Sequence, residues 1–221
     1  MTTRPTRRAL LAATAAVVAL PGLAHAQARA PAPPIAPPKS LAVALTARDA
    51  ADVVRIETYL DGLQRLKSRF LQIAPDGRTA EGAAWLERPG RMRFQYDPPV
   101  PLLLVAGHGL VVFHDSELNQ TTNIPIGRTP LGMLLAEHVK FSGDVTLTAI
   151  ERQPNLIAVS LVRTASPGDG TLTLVFNDNP LSLRQWSVLD AQSRETRVTL
   201  FNIQLGGAAP DPKLFEFVGG M

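Results

Sequence analysis

The chain of 221 residues contains no cysteine. Disulfide bonds, thiolate metal sites and cysteine nucleophiles are therefore excluded, and so is lipid attachment through a cysteine. Long hydrophobic runs are missing as well. The N-terminal run Ala9–Leu20 is shorter than the roughly 20 residues that a membrane-spanning helix needs, and no later segment is apolar enough. We therefore expect a soluble protein without a lipid anchor.

The motifs of several enzyme classes are absent from the sequence. It has no G-x-S-x-G nucleophile turn, no G-x-G-x-x-G segment and no P-loop. Beyond residue 26 the histidines are His108, His114 and His138, and none is paired at the H-x-H or H-x-x-x-H spacing of a metal site. None of the 19 acidic residues stands in a context distinctive of sugar hydrolysis. We predict that the protein is not an enzyme and needs no metal or other cofactor.

The net positive charge of the chain comes from its first 26 residues. The 22 basic and 19 acidic residues give a net charge of +3, and the pI is near 9.7. Arg4, Arg7 and Arg8 all lie in the first 26 residues, which contain no acid, so the remainder carries 19 charges of each sign. A neutral body without basic runs argues against binding to nucleic acid.

The first 26 residues have the three parts of a secretory signal peptide. A basic start precedes the run Ala9–Leu20, and an A-x-A cleavage site follows at residues 24–26. Arg7 and Arg8 also fit a twin-arginine signal, so both that route and the general export route stay open. The Pro- and Ala-rich stretch that follows predicts a linker over residues 27–45. We expect the folded domain to occupy residues 46–218.

One amphipathic helix of about five turns is predicted directly after the linker. Either Thr46 or Asp49 can cap its N-terminus. Its apolar stripe advances in steps of three and four residues and consists of Val53, Ile56, Leu60, Leu63 and Leu66. A helix with one such stripe must bury a single face.

From residue 67 the hydrophobic pattern changes to the period of two that is typical of strands. Clusters of Gly, Pro, Asn and Asp separate most of the segments, and such short connections favour antiparallel neighbours in chain order. The predicted strands are 67–74, 79–88, 91–96, 101–106, 109–115, 118–124, 144–152, 155–164, 170–177, 181–190 and 194–205. We predict a mainly β (α+β) fold, a strongly curved sheet or open barrel with helices over its concave face.

The concave face is either a filled core or a lined cavity. Aromatic residues are only 5% of the chain, which favours the cavity. One further helix is predicted over residues 131–138, with Thr129 at the N-cap and Pro130 in the first turn. This very apolar helix is either an ordinary core helix or a movable lid that closes the cavity.

A hairpin over residues 82–99 is the best-defined element of the sequence. Pro89-Gly90 predicts its turn, and on the outgoing strand Met92, Phe94 and Tyr96 share one face. The period of two places Arg88 on the same face as Leu86, which is unexpected for a cation. Arg88 either lays its stem on apolar surface with its head in water, or uses its five donors to bind the carbonyls at the ends of the covering helices.

Several segments between about Asp49 and Phe217 form a specific series. The main motif is Gly82-x-x-Trp85-Leu86-x-Arg88-Pro89-Gly90-x-Met92-Arg93-Phe94-x-Tyr96-Asp97-Pro98-Pro99. The supporting segments are Phe70-x-Gln72, residues 105–115 and 118–122, Thr129-Pro130-Leu131 and residues 180–200. In this order and spacing, the segments together resemble the LolA family, the periplasmic carriers of outer-membrane lipoproteins.

This resemblance implies an unclosed antiparallel barrel of about eleven strands, with a helical lid over an apolar cavity that takes the acyl chains of lipoproteins. It implies a monomer in the periplasm that is loaded by the inner-membrane transporter LolCDE and delivers to a LolB-like outer-membrane receptor where one exists. Arg88 would be the lid latch. The candidates for the cavity and its mouth are Phe70, Leu86, Met92, Phe94, Tyr96, Leu131, Met133 and Leu134. The alternative is an envelope lipid-binding protein or stress sensor of the same fold.

Overall fold

A single antiparallel sheet of eleven strands is the largest element of the fold. The computed structural model describes residues 41–218. The strands are β1 Arg65–Ile73, β2 Thr79–Glu87, β3 Arg91–Tyr96, β4 Leu102–Gly107, β5 Leu110–Asp115, β6 Gln120–Pro125, β7 Val145–Gln153, β8 Leu156–Arg163, β9 Gly170–Asn177, β10 Ser182–Asp190 and β11 Glu195–Leu205. All eleven predicted strands are present, with bounds that agree within two residues.

The sheet order is β6-β5-β4-β3-β2-β1-β11-β10-β9-β8-β7. Strands that follow each other in the chain pair with each other, except for β6 and β7, and β1 also pairs with β11, which joins the two halves. The strands β6 and β7 are the two ends of the sheet and do not pair with each other. The predicted fold class, an unclosed antiparallel barrel, is therefore confirmed.

The inner face of the sheet carries the hydrophobic core. Side chains alternate along β3 as predicted, so that Met92, Phe94 and Tyr96 are buried. The ring of Phe70 lies 4.7 Å from the ring of Phe94 and 5.2 Å from that of Tyr96, centroid to centroid. Gly82 provides the room for this cluster, because a Cβ there would lie 2.6 Å from the Phe70 ring and 2.2 Å from the carbonyl oxygen of Gln95.

The first helix, α1, spans Ala47–Gly62 and begins with a capping box. Thr46 and Asp49 exchange hydrogen bonds there, so both candidate cap residues take part. Ile56 and Leu60 on the predicted stripe are fully buried. The predicted length was wrong at the C-terminal end, since Leu63 is the C-cap and Leu66 belongs to β1. Both leucines are nevertheless buried, so the stripe continues in a strand rather than in a helix.

Polar contacts attach α1 to the β7–β10 half of the sheet. Arg152 of β7 donates to Asp49 (2.7 Å) and Asp52 (3.0 Å). The Tyr59 hydroxyl accepts the backbone N–H of Leu183 at 3.0 Å. These contacts fix the helix across one end of the curved sheet.

The chain between β6 and β7 connects the two ends of the sheet. We call residues 126–141 the lid segment; it contains a 3₁₀ turn, Ile126–Arg128, and the helix α2, Leu131–Leu134. The prediction of a helix to residue 138 was too long. The carbonyl of Leu135 accepts the N–H of Gly90, and the N–H of Val139 donates to Asp61, so these backbone groups have partners outside a helix. The N-cap position is held by Pro130, although the Thr129 hydroxyl does accept the N–H of Gly132 at 3.2 Å.

A 3₁₀ turn at the C-terminal end of the domain, Pro212–Phe215, packs on β3 and β4. Arg93, whose side chain points away from the core on β3, donates to the carbonyl of Leu214 at 3.2 Å. The guanidinium of Arg91 lies 5.6 Å from the centroid of the Phe215 ring, and Phe215 is buried. This segment therefore covers part of the outer face of the sheet.

The predicted signal peptide and most of the predicted linker lie outside the described residues. Of the linker, residues 41–45 are described. The N–H of Val43 donates to the carbonyl of Leu147 in β7 at 3.0 Å, and its side chain packs against the core. Val43 therefore contacts the domain through both its backbone and its side chain. Within residues 41–218, no helix combines the length and the apolar character that crossing a bilayer requires.

Candidate functional site

Arg88 lies at the end of β2 and is the one buried cation of residues 41–218. Its side chain has no exposed surface. Its Nε donates to the carbonyl oxygen of Ala136 at 3.0 Å, and its Nη2 donates to the same oxygen at 2.6 Å and to that of Glu137 at 3.1 Å. Its Nη1 donates to the carbonyl oxygen of Leu60 in the last turn of α1. A single guanidinium thus connects the hairpin, α1 and the lid segment.

The surroundings of Arg88 are unfavourable for its charge. Burial lowers the pKa of the guanidinium from its ordinary value, and the negative charge of Asp61, 3.9 Å away, partly opposes this. An arginine remains protonated in proteins even so. Its charge is therefore stabilised mainly by the three carbonyl oxygens, which carry only partial charges, and this arrangement can be broken without separating a full ion pair.

Three further contacts hold the first part of the lid segment, of which one is the N–H of Ile126 donating to the carbonyl of Gly109 at 2.9 Å. The N–H of Gly90, in the hairpin turn, donates to the carbonyl of Leu135 at 2.9 Å. Arg163 of β8 donates to the carbonyl of Thr129 at a longer distance, 3.4 Å. Close approach to Ile126 depends on Gly132, because a Cβ there would lie 2.3 Å from the carbonyl oxygen of Ile126. The lid segment is therefore compact and is attached to the sheet mainly through the hairpin.

A small apolar pocket of about 120 Å³ lies between α2 and the inner face of the sheet. Leu131 closes it on the lid side. The hydroxyl of Tyr96 donates to Gln72 at 2.7 Å, and burial raises the pKa of Tyr96 to about 12. The lining residues are Gln72, Met92, Phe94, Tyr96, Leu104, Leu131, Trp186, Val188, Thr196 and Val198.

The structure brings four of the eight predicted cavity residues to this pocket: Met92, Phe94, Tyr96 and Leu131. The others lie elsewhere in the interior. Phe70 and Leu134 are fully buried in the core, and Leu86 is 5% exposed. Met133 instead lines a separate pocket of about 230 Å³ between the lid segment and β7–β8. Arg88 takes the geometric position predicted for a latch, while its role stays a prediction.

Sequence reasoning missed the part of the pocket that β10 and β11 supply. Trp186 and Val188 alternate on β10, and Thr196 and Val198 alternate on β11. That alternation was visible in the sequence, but only the pairing of β1 with β11 shows that these strands lie beside the hairpin. The concave face is consequently filled by more side chains than a barrel with an open cavity would have. The ring of Trp186, for example, packs 5.7 Å from that of Phe94, centroid to centroid.

Within the part of the chain that the structure describes, no three His, Cys, Asp or Glu side chains come together in a way that could hold a metal ion. The pocket itself is lined by apolar side chains, two amide or hydroxyl groups and one phenol. This arrangement can hold a short apolar group, since the Tyr96 hydroxyl and Gln72 already bind each other.

Comparison with known proteins identifies relatives over the same region. The sequence model of the family "Outer membrane lipoprotein carrier protein LolA" matches residues 61–218, more than half of the chain. An outer-membrane lipoprotein carrier protein of Methylococcus capsulatus is 27% identical over 172 residues, which are 74% of this chain and 81% of that protein. One of Methylobacillus flagellatus is 25% identical over 176 residues, 75% of this chain and 84% of that protein.

Among solved structures, the LolA superfamily protein NE2245 from Nitrosomonas europaea is similar with a TM-score of 0.42 and 10% identity. The similarity covers 75% of this chain and 97% of that one. The assignment rests on the sequence match, which includes the hairpin with Arg88 and the whole lid segment. The chain belongs to the LolA family.

Proposed function

We propose that this protein is a periplasmic carrier that binds the acyl chains of lipoproteins under its lid segment. It takes them from the inner-membrane transporter LolCDE and ferries them to a LolB-like receptor at the outer membrane. The observation that carries the proposal is the buried Arg88, whose donors hold the carbonyls of Ala136 and Glu137 in the same lid segment that covers an apolar pocket through Leu131. The names of the family relatives, lipoprotein carrier proteins, support the same function.

The free energy of a chain in water explains why such a carrier is needed. Each CH₂ kept out of water is worth about 0.8 kcal/mol, so one long acyl chain opposes transfer through water by roughly 10 kcal/mol. A protein that crosses an aqueous space with such a cargo must hide most of that surface. It must also give the cargo up without an energy source of its own.

The size of the pocket indicates that binding requires movement of the lid. A water molecule occupies about 30 Å³ in the liquid, so the pocket of about 120 Å³ has room for only a few methylene groups. A longer chain needs space that the lid segment now fills. The bonds from Arg88 to that segment then break on binding, and part of the burial energy is used to open the lid.

The direct test is to purify the mature protein from the periplasm in mild buffer and to identify bound molecules by mass spectrometry. We expect triacylated or diacylated lipoproteins to co-purify. A matched sample with Leu131→Glu, which places a charge in the pocket, should carry fewer of them. Recovery of free lipid without lipoprotein would favour the alternative, an envelope lipid-binding or sensor protein. Recovery of neither, with no binding of acyl probes, would reject the carrier function.

A further inference from the structure

Two carboxylates of α1 hold the second part of the lid segment by its backbone. Glu57 accepts the N–H of Phe141 at 2.7 Å through Oε1 and the Nζ of Lys140 at 3.1 Å through Oε2. Asp61 accepts the N–H of Val139 at 3.0 Å through Oδ1. The two acids are four residues apart and so lie on one face of the helix. Val139 and Phe141, whose amides they hold, are buried.

The helix that carries these acids is itself firmly attached. Arg152 binds Asp49 and Asp52 near its start, and the hydroxyl of Tyr59 accepts a backbone N–H of β10. The ring of Tyr59 also meets that of Phe176 edge-on at 5.9 Å. None of these contacts involves the lid segment, so α1 would keep its place if that segment moved.

The first part of the lid segment has different partners. Its own backbone bonds are local, from Thr129 to Ile126, from Gly132 to Thr129 and from Leu135 to Leu131. Its attachments to the rest of the molecule are made to the hairpin, to β8 and, through the N–H of Ile126, to the carbonyl of Gly109 before β5, rather than to α1. The change of partner occurs between residues 137 and 139, where the bonds from Arg88 end and those from the acids of α1 begin.

We propose that Glu57 and Asp61 are positioning residues that make the lid a hinged element. They keep residues 139–141 on α1, so that opening displaces only residues 126–137 once the bonds to Arg88 are broken. The inference rests on the proposed function insofar as the lid opens to admit an acyl chain. Because residues 139–141 stay bound to α1, the open lid would close again in its original position.

The other charged groups around the two acids fit this arrangement. Asp61 lies 3.9 Å from both the Nη2 of Arg88 and the Nδ1 of His138, and Lys140 neutralises Glu57. Asp61 therefore adjoins both the latch and the hinge. When the hydrogen bonds from Arg88 to the carbonyls break, Asp61 still accepts the N–H of Val139.

Amide hydrogen exchange, measured residue by residue by NMR and without any lipid present, tests the hinge. In Arg88→Leu, we expect the amides of Gly132 and Leu135 to exchange at least 10-fold faster than in the wild type. The amides of Val139 and Phe141 should stay within about threefold. If all four amides accelerate together, the segment moves as one body and the hinge is wrong.

The acids are tested by Glu57→Ala and Asp61→Ala, with Asp52→Asn as the matched control on the same helix. Glu57→Ala should accelerate exchange at Phe141, and Asp61→Ala at Val139, by at least 10-fold, and the control should leave both within about threefold. Glu57→Gln retains an acceptor oxygen and should restore most of the protection of Phe141. Unchanged exchange in both alanine variants would overturn the positioning role.

Global destabilisation could accelerate every amide in a variant, so the wild type supplies an independent measurement. In low concentrations of urea, Val139 and Phe141 should exchange with the same free energy of opening as the amides of α1, and Gly132 and Leu135 with a smaller one. Equal values for all four lid amides would again overturn the hinge. None of these results depends on lipid binding, so a failure of the carrier function would be seen separately.

Discussion

Replacing Arg88 by leucine should weaken the folded protein and strengthen its binding of acyl chains. The carbonyls of Ala136 and Glu137 would lose their donors, whereas that of Leu60 keeps the N–H of Leu63 at 3.1 Å. A buried carbonyl left unpaired costs about 1–3 kcal/mol. After partial compensation by the apolar leucine side chain, we expect the free energy of unfolding to fall by about 3 kcal/mol.

The effect on binding has the opposite sign, because a chain that displaces the lid segment already breaks these bonds in the wild type. Removing them destabilises the closed form and leaves the open form unchanged. Binding should therefore tighten by the same amount, and about 3 kcal/mol corresponds to roughly a 100-fold lower dissociation constant. Release to an acceptor should slow accordingly, so that cargo is accepted but handed on poorly.

Both quantities can be measured on one set of samples. Urea unfolding followed by the fluorescence of the two tryptophans, of which Trp186 packs in the core, gives stability. Titration with a fluorescent long-chain fatty acid gives affinity. Arg93→Leu is a matched control, since Arg93 lies on the same hairpin but donates to the carbonyl of Leu214, in the C-terminal turn outside the sheet. It should change stability without changing affinity. If Arg88→Leu lowers both the stability and the affinity for the fatty acid, or leaves the affinity unchanged, the bonds of Arg88 do not oppose binding.

Two further predictions concern stability alone. Gly82→Ala should lower the free energy of unfolding in urea by about 3 kcal/mol, because the new Cβ would overlap the Phe70 ring and the carbonyl of Gln95. Gly168→Ala is the control: its Cβ would meet no neighbouring atom within 4 Å, so the free energy of unfolding should change by less than about 1 kcal/mol. Hydrogen bonds from the side chain and backbone of Thr46, followed by Arg152, lower the pKa of Asp49 to about 2 from 3.8. The stabilisation from Asp49 should be complete above about pH 4 and be lost as the pH falls through 2. Thermal unfolding of Asp49→Asn should show a weaker dependence on pH across that interval; an equal dependence would contradict this assignment.

The strands could be predicted from the sequence because their periods and turns are local properties. The errors fall where distant contacts decide. Leu63 and Leu66 keep helical spacing, yet the helix ends at Gly62 and the chain turns into β1, where the N–H of Arg88 donates to the carbonyl of Gln64. The helix α2 stops because Gly90 and Asp61 bind its continuation.

The candidate site was only half predictable for the same reason. The alternation on the hairpin gave the correct face for Met92 and Arg88, since both depend on a single strand pair. The opposite wall of the pocket, including Trp186 and Val198, is brought there by the pairing of β1 with β11. That pairing joins segments about 130 residues apart in the chain, and no local pattern specifies it.

Under the proposed function, the strength of the bonds from Arg88 to the lid segment sets how tightly an acyl chain is held. Burying a long acyl chain is worth roughly 10 kcal/mol, and breaking the bonds of Arg88 to the lid segment costs about 3 kcal/mol. The difference, about 7 kcal/mol, corresponds to a dissociation constant on the order of 10 μM before the other costs of association are included. A buried arginine is seldom the most stable choice for an apolar interior. Under the proposed function, its hydrogen bonds weaken the binding of an acyl chain, so that transfer to an acceptor of higher affinity is thermodynamically favourable.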